Sequence, residues 1–550
     1  MTSSVTQELL AYRLANEENS KSVKILSYAS SEIQSWANIH ALVTNNSNDE
    51  HSRLVFLSDS AGHPRYRRTT VRGLVGWAPH WTLLCVPADG LENTSGRSGS
   101  TPPPENILGS AAVDVDLSQD HMKLCLSLGL PLIVIITKLD LASNTGLRLT
   151  MAKVFSALKK AGRPYQIVYD KQANTAIDLD VIPKSDLLDA EDIVGKIKEE
   201  SHSFVPVVLT SAVNGKGINR LHALLAKLPI PDPGSADMNK GLASLQLSDT
   251  TLGSNTSLSN SEATPVNNAL FHIEDVYSNK QHGESNQATV LSGHVHTGKI
   301  AVGDEVVLGP FAVDITDDDH IGPTSPLQRK ALPTSRSFPG ALSSSYAFNS
   351  KPGYCEGEEW RQMRVTSIRN LRRPVRVLHT DQVGTVAVTP ATATTIPPAT
   401  WRIRKGMVLS SSRRKSTRLF IATLQISDAN TRKVNVGSAV VVYIASVRAS
   451  AKVISISAGS QDTNGSQNIK AQETAFGFDF DEEVSKETHN YHENTHTLIT
   501  LQFLGSKEYV EVGTQLLVMP GGPGLHGGER GEKGVAALEG FVGNVLEVSE

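Results

Sequence analysis

The sequence is sparing with the features that staple, anchor or strongly charge a protein. It has only three cysteines, Cys85, Cys125 and Cys355, among 550 residues. Three scattered thiols make neither a disulfide framework nor a cysteine zinc site, and they fit a reducing, cytoplasmic setting. No apolar run is long enough to span a bilayer, and the polar start of the chain does not read as a signal peptide. The 52 basic and 56 acidic residues nearly cancel, leaving a formal charge of −4. Whole-chain electrostatics therefore give no sign of nucleic-acid binding, and any such contact must be a local patch. Glycine is absent from the 58 residues that precede Asp59, and no Gly-x-x-x-x-Gly-Lys-Ser/Thr phosphate loop occurs anywhere.

What is present divides in two. Leu54–Leu57, Trp81–Val86, Leu132–Ile136 and Val205–Leu209 are short apolar runs that read as strands buried on both faces. Helical patterns over Tyr66–Val75, Met122–Leu128, Leu147–Leu158 and Ile218–Leu228 alternate with them. That alternation predicts a parallel α/β sheet over residues 1–230. A Ser/Asn/Thr-rich stretch, 231–268, has linker composition. Short strands and glycine turns follow. They predict two all-β barrels, at 269–412 with an insert at 311–358 and at 416–550 with an insert at 457–496.

Three short motifs carry chemistry. Asp59-Ser60-Ala61-Gly62-His63 follows the first apolar run. An aspartate at a strand end can hold magnesium through water, a glycine lets its N–H approach a phosphate, and a histidine can orient water. The bland alternative is a strand-ending turn with a solvated histidine. Thr137-Lys138-Leu139-Asp140 ends the third run. The lysine stem can lie over a purine, and the aspartate can accept from guanine N1 and N2. Thr210-Ser211-Ala212 ends the fourth, where a small residue lets a backbone N–H reach guanine O6. All three stand at the carboxyl ends of predicted parallel strands, where open α/β sheets bind ligands.

These motifs, with Thr69 to Gly76 after the first, Phe271–Tyr277, Gly298-Lys299-Ile300, Arg404 to Leu409 and Val434 to Gly437, resemble the GTP-binding protein 1 and 2 subgroup of translational GTPases. These are relatives of elongation factors Tu and 1-alpha. The resemblance implies a GTPase α/β domain followed by two barrels, with GTP and Mg2+ as cofactors. It implies His63 as the catalytic water-positioning residue. It assigns Asp59, Gly62, Thr137, Lys138, Asp140, Ser211 and Ala212 to the nucleotide, and Thr2 and Asp59 to magnesium. In that family the phosphate loop precedes the Asp59 motif. The resemblance thus implies an N-terminally truncated copy that starts near switch I and lacks the loop and a central strand, leaving Leu54–Leu57 with an open edge. The implied protein is a monomeric cytoplasmic GTPase of elongation-factor type, with tRNA, the ribosome or mRNA-decay machinery as partners. The rival is a non-hydrolysing scaffold, or an RNA- or ribosome-binding protein, with a degenerate nucleotide domain.

Other clusters read more blandly. His489, His492 and His496 have a helical metal spacing but lie in a polar insert. His294 and His296 are expected at the surface, pointing two ways, while His121 and Cys125 read as a core pair one helical turn apart. Arg369, Arg372, Arg373, Arg376, Arg402, Arg404 and Lys405 give the first barrel a basic cast, with a solvated face as the default and RNA contact as the alternative.

Overall fold

A computed structural model describes residues 5–14, 22–27, 33, 35–44, 52–60, 66–89, 117–168, 178–200, 203–230, 268–277, 288–311, 359–391, 403–426, 434–458, 495–520 and 540–549. The α/β region runs β1 (Val5–Leu14), β2 (Val23–Leu26), α1 (Trp36–Thr44), β3 (Arg53–Ser60), α2 (Arg67–Val75), β4 (Thr82–Pro87) and α3 (Leu117–Ser127). It continues through β5 (Leu132–Thr137), α4 (Asn144–Lys160), β6 (Tyr165–Val168), β7 (Val181–Ile182), α5 (Lys184–Glu199), β8 (Val205–Leu209) and α6 (Ile218–Lys227).

Four of these strands form a parallel sheet in the order β4-β5-β8-β6. The apolar run of β5 is buried from Leu132 to Ile136, as a central strand covered on both faces must be. The sequence reading placed Leu54–Leu57 in this same sheet, buried on both faces. Instead β3 pairs antiparallel with β1 in a second sheet, β3-β1-β2-β7, and Leu54–Leu57 are half-buried. The cause is β1. Leu9 and Ala11 pack with Trp36 and Ile39 of α1, while Leu10 and Tyr12 face the α5–α6 side. This period-2 split gives β3 a partner that burial of both faces of β1 holds in register. The two sheets share one core: Val55 of β3 and Leu83 of β4 pack with Tyr12, Ile133, Val208, Ile193 and Leu224.

The β half runs β9 (Leu270–Tyr277), β10 (Thr289–Thr297), β11 (Lys299–Ala301), β12 (Glu305–Gly309), β13 (Arg361–Asn370), β14 (Arg373–Val375), β15 (Val377–His379), β16 (Val383–Pro390) and β17 (Val408–Ser410). The order β12-β17-β9-β10-β16-β13 closes through the β12–β13 pairing. A second closed barrel, β18-β21-β20-β19-β22-β23, comprises β18 (Leu419–Ile426), β19 (Ala439–Ile444), β20 (Val447–Ala458), β21 (Thr495–Phe503), β22 (Gln515–Pro520) and β23 (Phe541–Ser549). Each encloses its own apolar core, around Phe271 and Leu409 in the first and around Phe420 and Phe503 in the second. Closure gives each of the six strands of either barrel a neighbour on both sides, while β14 pairs with β13 alone among the described strands.

The three parts are joined by side chains. Val71, Leu124 and Leu128 pack with Tyr443, Leu517, Met519 and Val542 of the second barrel. Arg72 of α2 pairs with Glu274 of the first barrel, Nε to Oε2 2.7 Å. Leu270, Val307, Trp360, Val408 and Tyr509 form an apolar seam between the barrels. Among the described residues no helix is long and apolar enough to cross a membrane.

Candidate functional site

Two loops meet at the carboxyl ends of the neighbouring parallel strands β5 and β8. Thr137 closes β5, and its Oγ1 donates to the Val86 carbonyl at 3.4 Å. Thr210 follows β8 and donates to the Ile136 carbonyl, from its N at 2.8 Å and its Oγ1 at 3.2 Å. The Leu139 N–H donates to the Thr210 carbonyl at 3.2 Å, so each loop holds the other. Lys138 takes a left-handed backbone, φ 56°, which turns the chain sharply off the strand.

Beneath these loops lies one short hydrogen bond. Ser211 is buried, 1% exposed, and its Oγ donates to Asp140 Oδ1 at 2.6 Å. The same oxygen accepts from the Asn214 N–H at 3.2 Å. Asp140, Lys138 and Ala212 are exposed above it. The carboxylate is therefore oriented from below and open above. Gly217 makes the close turn under this loop. Its φ is +74°, and a Cβ there would stand 2.0 Å from the Leu209 carbonyl oxygen.

The sequence did not single out the support for the lysine loop. Ser143 caps α4 by accepting from the Gly146 N–H at 3.0 Å, and its Oγ donates to Asp89 Oδ2 at 2.7 Å. Asp89 follows β4 and Ser143 follows β5, so this bond ties two neighbouring strand ends together. A helix-start signal at Ser143 was legible; its distant partner was not.

Asp59, which the resemblance assigns to the phosphate side, lies near the end of β3 and is paired in register with Thr6. It is exposed, and its charge, after burial, raises the Cys85 thiol on β4. Gly62, His63 and Thr2 lie outside the described residues, as do His489, His492 and Cys355. The backbone of His496 belongs to β21. Among the described residues no group of three or more His, Cys, Asp or Glu is placed to hold a metal ion. An oriented, solvent-facing carboxylate beside a lysine has the chemistry to suit the N1–H and N2–H2 edge of a guanine base.

Several secondary readings change. Arg372 lies over the Trp36 ring at 4.2 Å, Arg404 pairs with Glu508 at 2.8 Å, and Lys405 pairs with Asp275 at 2.9 Å. These three cations are engaged within the fold, and Arg402 lies outside the described residues. Cys125, by contrast, is buried in the core as expected, and desolvation there pushes its thiol up to about 12. His294 and His296 do not point two ways. Residues two apart on a strand share a face, and both rings meet His272.

Residues 3–230 match the family model for the elongation factor Tu GTP binding domain. GTP-binding protein 2 of Homo sapiens is 23% identical over 270 residues, covering 48% of this chain and 33% of that protein. GTP-binding protein 1 of Xenopus laevis is 26% identical over 262 residues, covering 48% of this chain and 29% of that protein. The match thus spans about a third of the length of these relatives. Among solved structures, translation elongation factor SelB from Methanococcus maripaludis in complex with a GTP analogue aligns over 90% of this chain and 71% of its own. The identity there is 14% and the TM-score 0.45. Residues 3–230 thus form a GTP-binding domain of the translational GTPase superfamily, and GTP-binding proteins 1 and 2 are among the relatives that the chain matches.

Proposed function

We propose that this chain binds GTP through Thr137, Lys138, Asp140, Ser211 and Ala212, and hydrolyses it to GDP and phosphate. The observation that carries the reading is Asp140, oriented by the buried Ser211 hydroxyl at 2.6 Å and open to solvent beside Lys138. Asp140 accepts from guanine N1–H and N2–H2, which adenine does not offer in that pattern. The Lys138 stem covers the purine face, and the backbone at Ala212 reaches O6. Asp59 and the Gly62 N–H would serve the phosphate end of the nucleotide. His63 orients the water that attacks the γ-phosphorus, while the bond to the β-phosphate oxygen breaks and GDP leaves. Magnesium, held by Thr2 and through water by Asp59, would neutralise phosphate charge. The resemblance further supports a cytoplasmic, monomeric factor working with tRNA, the ribosome or mRNA-decay machinery.

The test is single-turnover hydrolysis of GTP by the full chain and by His63→Ala. A positioned histidine contributes about 10²–10⁴-fold, so the variant should bind GTP normally and lose about that much rate. Equal rates remove His63 from the chemistry. GTP binding without turnover by the parent chain favours the non-hydrolysing scaffold.

A further inference from the structure

The outer face of the first barrel is buried where the three parts of the molecule meet, and its lining is polar. Phe271 and Ile273 of β9 point into the barrel core, so His272 and Glu274, which alternate with them, point out. Both are nevertheless buried. The α/β region covers Glu274 with Arg72, and the second barrel covers His272 with the β19–β20 turn, where Ser446 Oγ lies 3.3 Å from His272 Nδ1. On the adjacent β10, His294 pairs in register with His272. The two rings stack with centroids 5.4 Å apart, and His296 meets His272 edge-on at 5.3 Å. His294 is buried and its Nδ1 has no hydrogen-bond partner. His80, from the segment between α2 and β4, adds its charge to the field at His294. The rings stack and abut rather than converge on a point, and no metal-holding group occurs among the described residues.

We propose that this cluster is an acid-sensitive latch: protonation of His272 and His294 releases the α/β region and the second barrel from the outer face of the first barrel. The physical reason is that the junction holds these rings neutral. Burial lowers His272 well below the ordinary value, followed by the charges of His294 and His296. Burial also lowers His294 to about 4, followed by His296 and His80. The other charged groups at this face are already matched: Glu274 by Arg72, and Asp275 by Lys405. Ser446, from the second barrel, is uncharged. Once released, both imidazoles return toward about 6.5. The released state then binds more protons, so docking is full above about pH 7.5 and weakens as the pH falls through 6.5 toward 4. At pH 5.5 each histidine weakens docking about tenfold, and the pair about 100-fold.

Hydrogen–deuterium exchange of the full chain at pH 7.5, 6.5 and 5.5, corrected for intrinsic rates, reads the opening directly. Peptides covering α2 and β9–β10 should open 10- to 100-fold more at pH 5.5, with the far-UV circular dichroism unchanged. The His272→Leu/His294→Leu double variant should lose that pH dependence. If the double variant does not fold, His294→Gln and His272→Gln should each remove about a tenfold share. Equal protection of α2 at pH 7.5 and 5.5 overturns the latch. So do single variants with the full wild-type pH dependence, or loss of the circular dichroism signal together with the opening.

Discussion

Replacing Ser211 with alanine removes one oxygen and tests how the carboxylate proposed to read guanine is held. In the parent chain that oxygen donates to Asp140 Oδ1 at 2.6 Å and accepts from the Asn214 N–H at 3.2 Å. Hydrogen bonds to charged groups are worth about 1.5–3 kcal/mol. Asp140 is exposed and water will replace part of the loss, so the lower figure applies, about 1.5 kcal/mol. That converts to roughly a tenfold rise in the dissociation constant for GTP. The assay is calorimetric titration of GTP into the parent, Ser211→Ala, Asp140→Ala and the double variant. Because Ser211 acts through Asp140, its removal should cost less than about twofold once Asp140 is gone, a non-additive cycle. Additive losses would refute the reasoning, as would a Ser211→Ala chain that binds GTP as tightly as the parent.

Arg72→Met should leave the Glu274 carboxylate, fully buried in its side chain, without its cation. Breaking such a pair costs about 3–5 kcal/mol, whereas Arg72→Met/Glu274→Leu should recover most of it, as read by exchange protection of α2. Glu274 is raised by burial against the pull of Arg72, so losing the arginine raises it further. A raised carboxyl contributes stability that is present at low pH and lost as pH climbs through its folded value. The deficit of Arg72→Met, measured against the parent at each pH, should therefore shrink on acidification. Gly217→Ala should destabilise the β8–α6 loop by more than about 1 kcal/mol, because φ is +74° and the added carbon meets the Leu209 carbonyl. Urea denaturation followed at the guanine loop checks it.

The legible and illegible parts of this fold differ in physical kind. β5 was readable because a central parallel strand is apolar throughout, and Leu132–Ile136 is an unbroken run with the lysine motif at its end. The barrels were readable because alternation is local: on β13, Met363 and Val365 point inward while Gln362 and Arg364 point out. β1 was not readable. Gln7 and Glu8 dilute its pattern, and its role depends on partners as distant as α5 and α6. The antiparallel pairing of β3 follows from β1 and was missed with it. The residues proposed to read guanine stand in the sequence as recognisable types in order, but the Ser211–Asp140 and Ser143–Asp89 bonds join residues 71 and 54 positions apart, which no local pattern announces. The ion pair at Arg404 was illegible for the same reason: its partner Glu508 lies 104 positions away.

The central claim is that Asp140 reads guanine. Direct titration of the full chain with GTP, ATP and xanthosine triphosphate, repeated with Asp140→Asn, tests it most directly. Two bonds to the carboxylate at about 1.5 kcal/mol each predict that GTP binds about 100-fold more tightly than ATP. The asparagine variant should reverse the order of GTP and xanthosine triphosphate, because its amide donates where the carboxylate accepts. Equal binding of GTP and ATP, or an unchanged preference in Asp140→Asn, would contradict the account.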